Sequence, residues 1–313
     1  MKNKFDVITF GEAMVMFIAQ DIGSLENIEF FVKKIAGAEL NVATGLARLG
    51  VNVAWISRIG NDSFGKSILN HLRKEKINSD FISIDPALPT GFQLKSKVTD
   101  GSDPTVEYFR KNSAATKLTT EDIKTHIYTK YLHLTGIAPA LSSSCFNVAN
   151  SLIKIAKSQK STIIFDPNIR FSLWNNIDEM KEKINSLAFQ ADIVLPGIKE
   201  GELLTGFTEE EKIADFYLSN GVKKVIIKLG KNGAYFKTSF NTKGYIPGYS
   251  VKNIVDTVGA GDAFAVGVIS ALLEEKSLED AIKRANLFGA LAIQHEGDNE
   301  GLITRDKLNK YNI

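Results

Sequence analysis

The chain has 313 residues, 44% of them hydrophobic and 24% charged, and 38 basic against 36 acidic side chains leave a formal net charge of +2. That is enough chain to bury a large core. The balanced charge excludes gross electrostatic attraction to nucleic acid or to a membrane surface, while leaving room for a local anion pocket. The single cysteine, Cys145, cannot close an internal disulfide, which points to a reducing, cytoplasmic setting. Four histidines without a His/Cys cluster give no zinc-ligand spacing. The polar N-terminus carries no signal-peptide pattern. The longest apolar stretch, Ala263 to Leu273, stops at Glu274 and is too short to span a bilayer.

Phe5 to Phe10 reads as a strand ending at Gly11-Glu12. Residues 13–35 show no helical period and read as short strands and turns. Gly37-Ala38-Glu39-Leu40-Asn41 leads into a helix over Val42 to Leu49, closed by Gly50. Asn41 is either an N-cap or a residue beside a ligand brought close by the small residues before it. Val51 to Ile59 reads as a buried strand. Gly60 to Ser67 then fits the P-loop pattern G-x-x-x-x-G-K-[ST] in a strand–loop–helix setting. Asp166, after the apolar strand Thr162 to Phe165, could hold Mg²⁺ for such a loop. Two features oppose this: Asp62 would sit where phosphates bind, and Phe64 is bulky where the backbone must come close.

Asp80 to Ile84 is a further strand. Gly91 to Val98 alternates with period two, Thr105 to Arg110 reads similarly, and Asp100-Gly101 between them supports a hairpin. Residues 12–35 and 89–111 therefore look like extra antiparallel strands forming a small cover. Regular alternation follows: a helix near 120–127, a strand over Tyr131 to Thr135, a helix over Ser142 to Gln159, and a strand over Thr162 to Phe165. Asp166-Pro167-Asn168-Ile169-Arg170 lies at that strand's C-terminal end, where ligands bind in parallel sheets. Arg170 there could hold an anionic substrate group or be a plain surface arginine. Helices at Ile177 to Phe189 and up to Gly206, strands at Ile193 to Leu195 and Val222 to Lys228, and an antiparallel pair over 234–247 complete the pattern. With no repeat or linker, the chain reads as one α/β domain over residues 1–313.

Asp256-Thr257-Val258-Gly259-Ala260-Gly261-Asp262 opens a helix over 261–275, followed by a second over 278–295. The first N–H groups of a helix lack intrahelical partners and attract anions. An acid at the same point can take a proton from a hydroxyl. An anion pocket beside a base is what phosphoryl transfer to an alcohol requires; the plain alternative is a helix with an acidic first turn.

Asp256 to Gly267 resembles the C-terminal signature of the ribokinase-type (PfkB) sugar kinases. Gly37 to Gly50 resembles their N-terminal motif, and Gly60-x-Asp62-x-x-Gly65 matches another family element that competes with the P-loop reading. The resemblance covers essentially the whole chain. It implies a ribokinase-like three-layer sandwich: a mostly parallel central sheet plus a small antiparallel β lid made by the insertions at about 12–35 and 89–111. Within the family the chain is most similar to the 2-keto-3-deoxygluconate kinases, on Gly11 to Val15, Gly37 to Asn41, Tyr108-Phe109-Arg110, Leu132 to Ile137, Asp166-x-Asn168-x-Arg170 and Gly297-Asp298-x-Glu300-Gly301.

That resemblance implies ATP-dependent phosphorylation of a sugar acid at its 6-hydroxyl. Asp262 would be the base, and Gly259, Ala260, Gly261 and Asp262 the anion hole. Gly37, Asn41, Gln93, Tyr108, Phe109, Arg110, Arg170, Asp262 and Asp298 would bind substrate. Lys228, Gly230, Gly233, Gly259, Gly261, Asn286 and Gly289 would bind ATP. Mg²⁺ would bridge the phosphates with Glu200 acting through water, and a monovalent cation could sit near the Asp256 loop. The family's Asn-x-x-Glu element appears here as Gly197-x-x-Glu200. The resemblance further implies a homo-oligomer, dimer or higher, with the lid at its interface. Two rival readings are a sibling fructokinase- or ribokinase-type enzyme and a non-catalytic sugar-binding protein.

Overall fold

The computed structural model describes residues 3–98, 104–123, 127–311 and 313. Its strands are β1 (Asn3–Phe10), β2 (Met14–Ala19), β3 (Phe31–Ala36), β4 (Val53–Gly60), β5 (Ile82–Asp85), β6 (Phe92–Lys95), β7 (Val106–Phe109), β8 (Ile127–Thr135), β9 (Thr162–Asp166), β10 (Ile193–Val194), β11 (Lys224–Lys228), β12 (Ala234–Thr238) and β13 (Lys243–Ile246). The α-helices are α1 (Ala38–Arg48), α2 (Ser63–Lys74), α3 (Ile137–Ala140), α4 (Ser143–Ser158), α5 (Ile177–Ala188), α6 (Ile198–Thr205), α7 (Glu210–Ser219), α8 (Ala260–Leu273), α9 (Leu278–Ala292) and α10 (Arg305–Leu308).

Nine strands form one sheet in the order β13-β12-β11-β10-β9-β8-β1-β4-β5. From β11 to β5 every pairing is parallel, and β12 and β13 close the far edge antiparallel. Both faces are covered, so neighbours in one strand feed different cores. Val7 packs with Trp55, Ile164 and Val266 on one face, and Ile8 with Leu132, Leu134 and Phe165 on the other. The helix α8 is buried almost all round, Asp262 to Ala271, because it packs against both α1 and α9. Its N-terminus is thereby held at the carboxyl edge of the sheet, the ligand-binding edge of open α/β folds.

The lid is a separate four-stranded sheet, β3-β2-β6-β7. It is mixed rather than purely antiparallel. β2–β3 and β6–β7 run antiparallel, but β2 and β6 run parallel, with Met16 opposite Gln93 and Ile18 opposite Lys95. The cause is topological: β2 and β6 both leave the carboxyl edge of the main sheet in the same direction. The Asp100-Gly101 turn lies outside the described residues.

The helix expected near 120–127 is a 3₁₀ turn, Thr120–Asp122, and β8 starts at Ile127. Thr119 and Asp122 cap that single turn reciprocally, and the Ile-Tyr-Thr run that follows favours strand. Asn41 is not an N-cap: α1 starts after Gly37 and Asn41 lies inside it. Helix α7 was not evident from the sequence, because its acidic start hides the core-facing Ile213, Ala214 and Tyr217.

The loop from Gly60 to Ser67 is no phosphate cradle. One oxygen of Asp62 accepts the Gly65 N–H at 2.7 Å, capping α2, and the other accepts the Thr90 N–H at 2.7 Å. Thr90 Oγ1 in turn accepts the Gly60 N–H at 2.9 Å. The motif therefore ties the β4–α2 turn to the segment that leads into β6, and Lys66 is exposed. Asp62→Ala should lower stability by about 1–2 kcal/mol through loss of the cap and the clamp, read from urea unfolding. Lys66→Ala should change stability by under about 0.5 kcal/mol and leave turnover intact. Abolished turnover in Lys66→Ala would reinstate the P-loop reading.

Candidate active site

A cavity of about 480 Å³ lies between the lid and the carboxyl edge of the sheet, lined by Gly37, Asn41, Gln93, Lys95, Tyr108, Arg110, Asn168, Arg170, Glu200, Lys228, Gly259, Gly261, Asp262 and Asp298 among others. Its floor is the start of α8. Gly259 has φ +83°, and a Cβ there would stand 2.5 Å from the Asp298 carbonyl oxygen, so glycine is required. The N–H groups of Ala260, Gly261 and Asp262 open the helix, where no earlier carbonyl can accept them. A methyl group placed on Gly261 would lie 3.5 Å from Lys228 Nζ, so an ammonium stands beside the positive end of the helix. Together they form an anion receptor.

Asp262 is held by two amides. Asn41 Nδ2 donates to Oδ2 at 2.8 Å, and Asn168 Nδ2 donates to Oδ1 at 3.2 Å. Asn168 adopts φ +39° at the end of β9 to reach it, a conformation asparagine tolerates better than most residues. Burial pushes the Asp262 carboxyl up to about 7, against the Asn41 hydrogen bond and with the nearby Asp166 adding to the rise. The group is thus tuned near neutrality, where a general base works best. The opposite Asn41 oxygen, Oδ1, is buried without a protein partner.

On the next strands, Lys228 at the end of β11 meets both oxygens of Asp166 at the end of β9, at 2.9 and 2.8 Å. Burial raises the Asp166 carboxyl, and Lys228 opposes it. Glu200 Oε2 accepts the Gly197 N–H at 2.7 Å, capping α6, and Oε1 accepts the Ile169 N–H at 2.8 Å from the loop after β9. Its carboxylate is therefore anchored to the backbone and suits a metal only through water. No group of three or more metal-ligating side chains is present among the described residues.

The lid contributes a charged inner face. Arg110 is 8% exposed and forms an ion pair with Glu12, whose other oxygen accepts the Ser113 hydroxyl at 2.5 Å. Its guanidinium also lies 5.6 Å from the Tyr108 ring centroid. Below them Glu39 is fully buried, accepts the Thr135 hydroxyl, and is pushed up to about 7 by that burial. Gly37 has φ +144°, and a Cβ there would meet the Glu12 carbonyl oxygen at 2.5 Å. Lys95 reaches from β6 to Asp256 Oδ2 at 2.5 Å and to Asp298 Oδ1 at 3.3 Å. Arg170, by contrast, has no ion-pair partner among the described residues; its Nη1 only approaches the Ile169 carbonyl at 3.3 Å.

The structure therefore brings together Gly37, Asn41, Gln93, Tyr108, Arg110, Arg170, Lys228, Gly259, Gly261, Asp262, Asp298 and Glu200. Phe109 is a correction. It follows Tyr108 in β7, so it points to the opposite face, where it is 47% exposed and stacks on Phe92. Gly230, Gly233, Asn286 and Gly289 lie outside the cavity. Asn286 spends its amide on the Ile246 and Pro247 carbonyls, at 3.1 and 3.0 Å. Glu12, Glu39, Lys95 and Asn168 had been assigned no role from the sequence. Glu12 and Lys95 are charges in a turn and a strand, where a charge usually means solvent, and Glu39 is an acid in the first turn of α1, where it usually serves the helix N-terminus.

A model of the pfkB family carbohydrate kinases matches residues 4–305. The 2-dehydro-3-deoxygluconokinase of Bacillus subtilis (strain 168) is 50% identical over 308 residues, covering 97% of this chain and 94% of its own. Among solved structures, a PfkB protein from Polaromonas sp. JS666 is 44% identical, with TM-score 0.89 over 97% of this chain and 99% of that one. A putative ribokinase II from E. coli, solved with ATP and Mg²⁺, is 27% identical, with TM-score 0.90 over 98% of each chain.

Proposed function

The chain belongs to the pfkB family of carbohydrate kinases, and on that premise we propose that it transfers the γ-phosphoryl group of ATP to the 6-hydroxyl of 2-keto-3-deoxygluconate. The observation that carries this is the pairing of Asp262, held by two amides at the start of α8, with an unpaired guanidinium, Arg170, in the same cavity. The acid accepts the hydroxyl proton. The freed oxygen bonds to the γ-phosphorus as the bond to ADP breaks. The N–H groups of Ala260, Gly261 and Asp262, with Lys228, take up charge on the transferring group.

Arg170 holds the substrate carboxylate as a planar donor. Arg110 already serves Glu12, so it orders the lid over the sugar and adds donors at its edge. Gly37, Asn41, Gln93, Tyr108 and Asp298 meet the hydroxyl and keto groups. The unpartnered oxygen of Asn41 supports this, since a sugar hydroxyl would satisfy it. Mg²⁺ would neutralise phosphate charge when bound, and Glu200, anchored to the backbone, would act on it through water. Gly230, Gly233, Asn286 and Gly289 would receive the nucleotide beyond the cavity; Gly289 stands beside the start of α8, where a Cβ would lie 3.5 Å from the Ala260 carbonyl oxygen. A monovalent cation near Asp256 remains part of this reading.

The lid's outer face supports self-association as a dimer or larger assembly, because Phe109 is 47% exposed there. No helix of the described residues is long and apolar enough to cross a membrane. Cys145 is buried and unpaired, in keeping with a cytoplasmic setting.

Asp262→Asn should keep the fold and lower kcat by about 10²–10⁴. In the parent protein the base must be ionised, so kcat/KM should fall as pH drops below about 7; the variant should lack that limb. Near-parental turnover in a pH-dependent steady-state assay would remove Asp262 from the chemistry. Arg170→Ala should raise KM for the sugar acid by about 10–100-fold, as loss of a charge-assisted contact predicts. Its effect on fructose should stay under about 3-fold. Equal losses on both substrates would exclude carboxylate recognition by Arg170.

A further inference from the structure

Lys95 is 2% exposed, the most buried cation among the described residues of the lid. A lysine is seldom buried unless it is paired, and this one is paired with the main body rather than with its own sheet. Its ammonium sits 2.5 Å from Asp256 Oδ2 and 3.3 Å from Asp298 Oδ1. Asp256 begins the loop that leads to α8, and its oxygens also accept the Val258 N–H at 3.1 Å and the Gly297 N–H at 3.3 Å. Asp298 presses its carbonyl against Gly259, where a Cβ would come within 2.5 Å. One ammonium therefore clamps the two loops that frame the first N–H groups of α8. Without it, two buried carboxylates would face each other, and both would repel an arriving phosphate.

We propose that Lys95 is a positioning residue for phosphoryl transfer: its ammonium, delivered by the lid, neutralises Asp256 and Asp298 and aligns the Gly259–Asp262 turn on the phosphoryl group. The lid strand that carries Lys95 also carries Gln93, so closure over the sugar and alignment of the anion hole become one event. The inference rests on reading the start of α8 as the phosphoryl-transfer site. It also implies that removal of the ammonium leaves a pocket for a small monovalent cation between the two carboxylates.

The test compares Lys95→Ala, which opens that pocket, with Lys95→Met, which fills it with a neutral chain. All assays hold ionic strength constant with choline chloride. Both variants should lose about 10–100-fold in kcat, as expected for breaking a buried pair that acts through another group. KM for the sugar acid should change by under about 3-fold. Ammonium or ethylammonium chloride should restore Lys95→Ala saturably by about 10-fold relative to the parent assayed in the same salt, and should leave Lys95→Met within about 2-fold on that scale. Parental turnover in both variants overturns the inference. So does a loss that neither amine rescues, whether or not Tm has fallen, because the lysine would then serve only the fold. Asp262→Asn, assayed in the same buffers, separates the two failures: an inactive Asp262→Asn beside unaffected Lys95 variants rejects this inference alone.

Discussion

The site is built around a conflict of charge. In the proposed reaction the base that activates the sugar and the phosphates that donate the phosphoryl group meet at the first turn of α8, and both are anionic. Asp262 at that point would repel ATP if it stood ionised with nothing to offset it. Burial lifts it to about 7, two amides hold it in place, and Lys228 stands beside the open N–H groups, where the proposed reaction would receive the phosphates. The acid ionises readily only where a proton acceptor is needed, and the cations lie on the phosphate side.

The fold makes that arrangement affordable in structural terms. The helix α8 lies between α1 and α9 and is buried along nearly its whole length. Its N-terminus cannot shift without disturbing the core that contains Phe264, Val266 and Trp55. Asn41 on α1, Asn168 after β9 and Lys228 on β11 arrive from three separate βα units, so the parallel sheet sets their spacing. The lid meets this rigid edge through charge: Arg110 on Glu12, Lys95 on Asp256 and Asp298. Such pairs specify a closed geometry more than they add stability, which suits a cover that must open for substrate.

Much of this was legible in the sequence. The alternation of apolar strands with amphipathic helices implied the parallel sheet, and the Gly259-Ala260-Gly261-Asp262 turn does open α8 at the cavity floor. The P-loop pattern at Gly60 misled because a regular expression does not say where the N–H groups go; Asp62 consumes them at Gly65 and Thr90. Phe109 misled for a simpler reason, since in β7 only alternate residues face the sugar, and Tyr108 holds the inward position. Glu12, Glu39 and Lys95 escaped notice because a charge in a turn, in the first turn of a helix or in a strand normally faces water, and only the tertiary fold buries these three against partners. Helix α7 was hidden by its run of glutamates.

The central claim is that this cavity selects a keto sugar acid and phosphorylates its terminal hydroxyl. The most direct measurement is kcat/KM with ATP and Mg²⁺ on 2-keto-3-deoxygluconate, fructose and ribose, with phosphorus NMR to locate the new ester. The account predicts a preference for the keto acid of at least about 100-fold, the scale set by one unsatisfied charged contact, and phosphate on C6. Equal or better turnover of fructose, or an ester on any other carbon, would contradict it.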